Sequence, residues 1–244
     1  MYEGWAAVYD AWMADLDYEG WVRMARAAME RLCPGGRTVV DLACGTGNVS
    51  LPLAELGYQV CGLDGSADML DLATRKARRR GLAIPFVRQD LRTFQLHRPV
   101  DLAVCAIDGV NYLTDLEDVE KFFRRVHENL RPGGVFVFDI SSAYKLEHIL
   151  ANQFYGWDED EGACLWFNEY DCESRILTLE LLFFIKEGEL YRKVPETQRQ
   201  RAHKVEELVP RLRKAGFASV EVCGDGQKAP EADEERIYFI AQRM

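Results

Sequence analysis

At 244 residues, 48% of them hydrophobic, the chain has the length for one large domain, or one domain carrying an insertion. A net charge of −10 argues against a groove that tracks nucleic-acid phosphate, which needs clustered positive charge, and no apolar run reaches membrane-spanning length. Seven cysteines, an odd number without a CxxC pair, read as reduced thiols of a cytoplasmic protein, so neither a disulfide frame nor a metal site is expected.

In chain order, the opening "MYEGWAAVYDAWMADLDYEGW" carries acids and tryptophans but no basic flank, so it is not a signal peptide. It reads as a helical cap over about residues 1–33, with Trp5, Tyr9 and Trp12 on one packed face. From Thr38, short β-rich runs alternate with helical patterns. "TVVDLA" is a strand and "NVSLPLAELG" a helix closed by Gly57. "YQVCGLD" is the second strand, and "SADMLDLATRKARRRG" a helix capped by Ser66 and closed at Gly81. The basic run Arg75 to Arg80 sits at that helix's end, where the helix dipole favours cations. "AIPFVRQD" and "VDLAVCAID" are strands three and four, "DLEDVEKFFRRVHENLRPGG" an amphipathic helix, and "VFVFDI" the fifth strand. This alternation predicts an α/β fold: a Rossmann-like, doubly wound, seven-stranded, mostly parallel sheet.

The pattern changes at roughly residues 143–203. "ACLWFNEYD", "SRILTLELLFFIK" and "LYRKVPETQRQ" read as a three-stranded antiparallel meander inserted into the main unit, residues 1–142 and 204–244. Leu177, Leu179, Leu181, Phe183 and Ile185 share one face of its middle strand by the two-residue period. Glu196, Gln198 and Gln200 alternate with Thr197, Arg199 and Arg201 along the next. "KVEELVPRLRKAGF" is then a helix, and "ASVEVCGD" and "ERIYFIAQR" close the sheet as an antiparallel pair.

The candidate site lies in "VVDLACGTGNVS". In an open parallel sheet, ligands bind beyond the carboxyl ends of the strands. Asp41 stands at such an end, and Gly45 and Gly47 let the turn tighten and a ligand approach the backbone. Asp64 ends the second strand, placed to take both hydroxyls of a ribose, and Asp90 the third, placed to accept an adenine amine. A dinucleotide site would want G-x-G-x-x-G and tolerate a pyrophosphate. Here Ser50 takes the third glycine position and Asp41 puts an acid where phosphates would come, which excludes a nicotinamide-dependent dehydrogenase.

"VVDLACGTG", "GLDGSADML", "RQDLRTF", "AIDGVNYL" and "LRPGGVFVFDISS" together resemble a class I S-adenosylmethionine-dependent methyltransferase. The opening "YEGWAAVYDAWM" and "DYEGW" are further similar to the YqeM-like group of small bacterial methyltransferases. The resemblance implies S-adenosylmethionine as cofactor. Asp41, Gly45 and Gly47 would line its methionine end, Asp64 its ribose with Met69 against the adenine, and Asp90 and Leu91 the adenine edge. Ala106, Ile107 and Asp108 would lie near the sulfonium, Ala43 and Gly65 would complete the cofactor set, and Tyr2 or Tyr9 would touch the cofactor from an N-terminal lid.

For the acceptor, Asp108, Asn111 and Tyr112 after strand four are the candidate catalytic or orienting residues. Glu196, Gln198 or Arg201 is expected to contact it from the inserted sheet, which would roof the cofactor site. The family pattern there is E-x-H-x-Q-R-x-Y; Gln198 stands in place of the histidine and His203 in place of the tyrosine. "AIDGVNY" also lacks the prolines associated with methylation of nucleic-acid bases and some protein amides. The expectation is N- or O-methylation of a small molecule by a cytoplasmic, bacterial-type monomer or homodimer with no nucleic-acid or membrane partner. The alternatives are a protein or RNA methyltransferase, or a non-catalytic cofactor-binding protein.

Overall fold

The computed structural model describes residues 9–10, 12–160, 162–225 and 228–244. Tyr2 and Trp5 therefore lie outside the described residues. The elements, in chain order, begin with α1 (Tyr18–Leu32), β1 (Thr38–Leu42), α2 (Ser50–Glu55), β2 (Gln59–Asp64), α3 (Ala67–Arg79), β3 (Phe86–Arg88) and β4 (Val100–Cys105). A 3-10 turn (Gly109–Tyr112), α4 (Leu116–Asn129) and β5 (Leu130–Ser141) follow. Then come β6 (Phe154–Glu159), β7 (Gly162–Asp171), β8 (Ile176–Glu187), β9 (Leu190–Arg201), α5 (Val205–Ala215), β10 (Phe217–Cys223) and β11 (Arg236–Arg243).

Seven strands form one sheet in the order β10-β11-β5-β4-β1-β2-β3. β1 pairs parallel with β2 and β4, as do β2 with β3 and β4 with β5. Only β11 runs against its neighbours, β5 and β10. Every residue of β4 is buried, as a strand covered on both faces requires. Alternate residues feed opposite cores: Val40 and Leu42 join Phe122, Phe136 and Leu208 on one side, while Val39 joins Trp21, Ala25 and Val104 on the other. Helix starts follow the expected chemistry. Asp17, Ser66 and Asp115 cap α1, α3 and α4 through backbone N–H groups, and Gly216 ends α5 at φ 110°.

β6 to β9 make a second, antiparallel sheet in sequence order. It has four strands rather than the expected three. Gly156 and the acids Asp158 and Glu159 hide the alternation of β6 in the sequence. Leu177, Leu179, Leu181, Phe183 and Ile185 are buried together, and across the strand pair Glu196, Gln198 and Gln200 are buried on that same face. β3 is also shorter than expected, three residues ending before Asp90. Among the described residues no helix is long and apolar enough to cross a membrane.

Candidate functional site

A cavity of about 980 Å³ opens at the carboxyl ends of β1, β2 and β4, within the range of small-molecule sites. Its floor is the turn after β1. Ala43 and Gly45 both have positive φ, 55° and 52°, so the chain doubles back there and presents bare backbone. A Cβ on Gly45 would meet nothing within 4 Å; it would stand in the cavity itself. Gly47 behaves differently. It is buried, at φ 83°, and a Cβ there would come within 3.2 Å of the Phe86 ring. Gly47 does not line the cavity, so the expected direct contact is replaced by a role in packing the turn.

Asp41 is buried beneath this turn and accepts a hydrogen bond from Ser50 Oγ at 2.5 Å. Burial pushes its carboxyl up to about 7, against the lowering effect of Ser50. Asp64 is half-buried at the end of β2. Its Oδ2 accepts from Gly45 N at 2.9 Å and its Oδ1 from Ser66 N at 2.8 Å. Burial raises its pKa as well, opposed by those backbone N–H groups. Each oxygen keeps a further lone pair and Asp64 lines the cavity, so its carboxylate has the acceptor capacity that a vicinal diol needs. Gly65, Met69, Leu91, Ala106 and Ile107 all line the same space.

Asp90 also lines it, but Arg92 grips its carboxylate through Nε at 2.8 Å and Nη2 at 2.5 Å. That pair holds the Asp90 carboxyl below its ordinary value. An adenine amine would find only a remaining lone pair there, and Asp90 holds Arg92 as much as any ligand. The sequence also missed Thr46, Asn48, Gln89 and Tyr18, which line the cavity because they lie in the turn, follow β3 or begin α1.

One wall comes from the N-terminal segment. Tyr9 lines the cavity near Tyr18, Tyr112 and Asp108, and burial raises its phenol well above the usual value. It therefore stays a neutral phenol. The next residue, Asp10, latches the segment down: Oδ1 accepts from Thr46 Oγ1 at 2.5 Å and Asn48 Nδ2 at 3.1 Å, and Oδ2 pairs with Lys76 Nζ at 2.5 Å. Lys76 also donates to Asn48 Oδ1 at 2.5 Å, and burial lowers its pKa despite Asp10.

Beyond β4 the backbone is strained. Ile107 and Asp108 both have positive φ, 56° and 52°, costly for a β-branched residue and typical of functional turns. Asp108 is held there by Asp139, whose Oδ1 accepts from Asp108 N at 3.0 Å, and by Gln200 Nε2, which donates to its carboxylate at 2.8 Å. Arg236 bridges Asp139 and Asp108. Tyr112 lines the cavity and donates its hydroxyl to Gln198 Oε1 at 2.8 Å.

Of the expected acceptor residues only Tyr112 lines the cavity; Asp108, Glu196 and Gln198 are not part of its lining, and Asn111 and Arg201 are turned to other tasks. Asn111 is fully buried, with Nδ2 donating to the carbonyls of Ser141 and Arg201 at 2.9 Å and Oδ1 accepting from Ser141 N at 3.0 Å. It rivets the two sheets together and has nothing left for an acceptor. Arg201 points off the opposite face of β9, where it donates to Ser174 O at 3.1 Å and pairs with Glu207. The strand period puts Gln200, not Arg201, beside Gln198 on the inner face. Glu196 is buried on that inner face as well.

The geometry agrees with the comparisons to known proteins. A family model described as "Methyltransferase domain" matches residues 39–134. YqeM of Bacillus subtilis, whose name describes a methyltransferase, is 32% identical over 100% of this chain and 97% of its own. The crystal structure of an S-adenosylmethionine-dependent methyltransferase from Clostridium acetobutylicum superposes with a TM-score of 0.90 at 31% identity, covering 99% of this chain and 98% of that one. The CcbJ methyltransferase of Streptomyces caelestis gives a TM-score of 0.81 at 26% identity, over 98% and 96% of the two chains.

Proposed function

The chain belongs to the class I S-adenosylmethionine-dependent methyltransferases, in the YqeM-like group, and on that premise we propose that it methylates a small molecule at nitrogen or oxygen. S-adenosylmethionine is its cofactor and, when bound, supplies a methyl group activated on a sulfonium. The observation that carries the small-molecule reading is the closure of the site. Tyr9 and the Asp10 latch cover one side, while Tyr112–Gln198 and Asp108–Gln200 tie the far wall to the second sheet. A protein or RNA acceptor would have to break these contacts to reach the site.

The residues of the chain do three things in this scheme. The turn at Ala43–Gly45 with Asp41 and Asp64 fixes the donor, which supplies most of the rate by positioning. The Tyr9 segment walls one side of the donor's cavity, and the four-stranded sheet acts on it from behind, by holding Tyr112 through Gln198. Tyr112, held by Gln198, would orient the acceptor toward the donor's methyl group, and the Asp108–Gln200 contact would position the turn behind it. Tyr9, kept as a phenol, donates hydrogen bonds and is not the base. Incubation with methyl-labelled S-adenosylmethionine and a metabolite extract tests the reading. Label is expected in the fraction below about 1 kDa, and label confined to added protein or RNA would overturn it.

A further inference from the structure

Ile107 and Asp108 are adjacent, neither is glycine, and both hold positive φ, 56° and 52°. Without restraint such a pair would relax, because a side chain, above all a β-branched one, crowds its own backbone in the left-handed region. The cavity would then change shape, since Ala106, Ile107, Gly109 and Tyr112 all line it. The restraint that holds the turn comes from outside the cavity.

That restraint is Asp139, near the end of β5, which has 0% exposure and does not itself line the cavity. β4 and β5 pair parallel with Cys105 opposite Phe138, so Asp139 stands one residue past the point where β4 ends. Its Oδ1 accepts the Asp108 N–H at 3.0 Å. Arg236, from the start of β11, pairs with its other oxygen and reaches the Asp108 carboxylate at 3.5 Å. After the turn, Asn111 N donates to Asp108 O at 2.9 Å. Asp108 is thus fixed at its N–H, its carboxylate and its carbonyl. Stability alone does not call for a buried ion pair here, since well-packed apolar residues serve it as well. What an apolar residue could not supply is an acceptor for the Asp108 N–H.

The held turn packs against the turn after β1. Gly109, the next residue, comes so close that a Cβ on it would stand 3.2 Å from Ala43 Cβ and 2.7 Å from Cys105 Sγ. Ala43 opens the turn that its own positive φ and that of Gly45 fold back, and Gly45 N donates to Asp64. We propose that Asp139 is a positioning residue for the methyl donor. Through Asp108 it keeps the Ile107–Asp108 turn in its strained form, and through Gly109 against Ala43 that turn braces the backbone on which S-adenosylmethionine lies. The inference rests on the methyltransferase reading above. Asp139 touches neither donor nor acceptor in this scheme, and Arg236 supports it by pairing a carboxylate that burial alone would make costly.

The test is calorimetric titration with S-adenosylhomocysteine in the cold, with the folded fraction of each variant confirmed by circular dichroism. Asp139→Leu keeps a branched side chain without an acceptor, and is expected to weaken binding by about ten-fold or more. Asp139→Asn gives up the charge opposite Arg236, as Asp139→Leu does, but keeps an oxygen for the Asp108 N–H. It is expected to stay within about three-fold of the native affinity, although its melting temperature falls along with that of Asp139→Leu. A residue needed only for stability would lower both melting temperatures and leave the affinity of the folded protein alone. Native affinity in Asp139→Leu, or equal losses of affinity in the two variants, overturns the proposal. Gly109→Ala leaves Asp139 in place and adds a methyl group between the two turns. It is expected to weaken binding by about five-fold or more, and it carries the test if Asp139→Leu does not fold. Native affinity in Gly109→Ala also overturns the proposal. Failure of the unsubstituted protein to bind S-adenosylhomocysteine would instead remove the methyltransferase reading on which it rests.

Discussion

Asp64 is the residue whose chemistry was most legible in the sequence. A carboxylate at the end of the second strand has one obvious use beside a glycine turn, and the fold delivers it with Gly45 N and Ser66 N holding its two oxygens. Asp64→Ala is expected to weaken S-adenosylhomocysteine binding by about 1.5–3 kcal/mol, the worth of hydrogen bonds to a charged acceptor, as read by calorimetry. Unchanged affinity would take Asp64 out of the site. Asp41 makes a subtler prediction. Its folded pKa of about 7 stands above the ordinary carboxyl value of 3.8, so without ligand the folded protein holds a proton there that the unfolded chain does not. That difference costs stability progressively as pH rises from 3.8 toward 7. A ligand ammonium placed beside Asp41 favours its ionised form and expels the proton. Calorimetry near pH 6 in phosphate and in imidazole buffers should therefore show proton release on binding, fading by about pH 8 and absent in Asp41→Asn. A buffer-independent enthalpy at pH 6 would contradict the assignment. Asp90 was less legible, because its partner Arg92 follows two residues later and no strand pattern announces that pair. The Asp108–Asp139–Arg236 set was invisible, since it joins residues up to 128 apart in the chain.

Elements with strong periodicity declared themselves: α3 with its capping Ser66, the amphipathic α4, the buried run of β4 and the apolar face of β8. β6 did not, because a glycine and an acidic end leave too little alternation. The orientation of β9 was written in the two-residue period. That period puts Arg201 on the face opposite Gln198, and the structure shows both consequences. The N-terminal segment is the element on which exchange of ligand should depend. A single carboxylate, Asp10, satisfies Thr46, Asn48 and the half-buried Lys76. Asp10→Ala leaves Lys76 with Asn48 as its remaining strong acceptor and frees the segment from the turn below. The expected result is an S-adenosylhomocysteine dissociation rate raised about ten-fold, equivalent to roughly 1.4 kcal/mol, measured by stopped-flow fluorescence. The seven-stranded sheet should be unaffected, so far-UV circular dichroism should not change. An unaltered dissociation rate would mean that the segment packs without gating.

At the scale of the whole molecule, the two sheets meet where β9 runs into α5, and His203 is the buried peg at that junction. It has 0% exposure, and its Nε2 hydrogen-bonds the Leu113 carbonyl at 3.1 Å. Burial drives its pKa down to about 4, helped by Arg201, while the carbonyls of Leu113 and Val110 and the charge of Glu207 pull the other way without winning. In the unfolded chain the same imidazole has its ordinary value of 6.5. Between those two values the unfolded state binds a proton that the folded state refuses, so stability is intact above pH 6.5 and is lost as pH falls toward 4. By pH 4.5 this one residue should remove about 2.5 kcal/mol, since each unit of difference is worth about 1.4 kcal/mol. His203→Gln keeps an N–H for the Leu113 carbonyl and has no proton to gain. Urea midpoints at pH 7 and pH 4.5 should therefore converge on, or cross to, an advantage for the variant in acid, even if the variant is the weaker protein at pH 7. The carboxylates that titrate in the same range are present in both proteins and cancel in the comparison. Parallel losses of stability in the two proteins would show that the junction admits the charged imidazole, and that the contact between the sheets is looser than its burial implies.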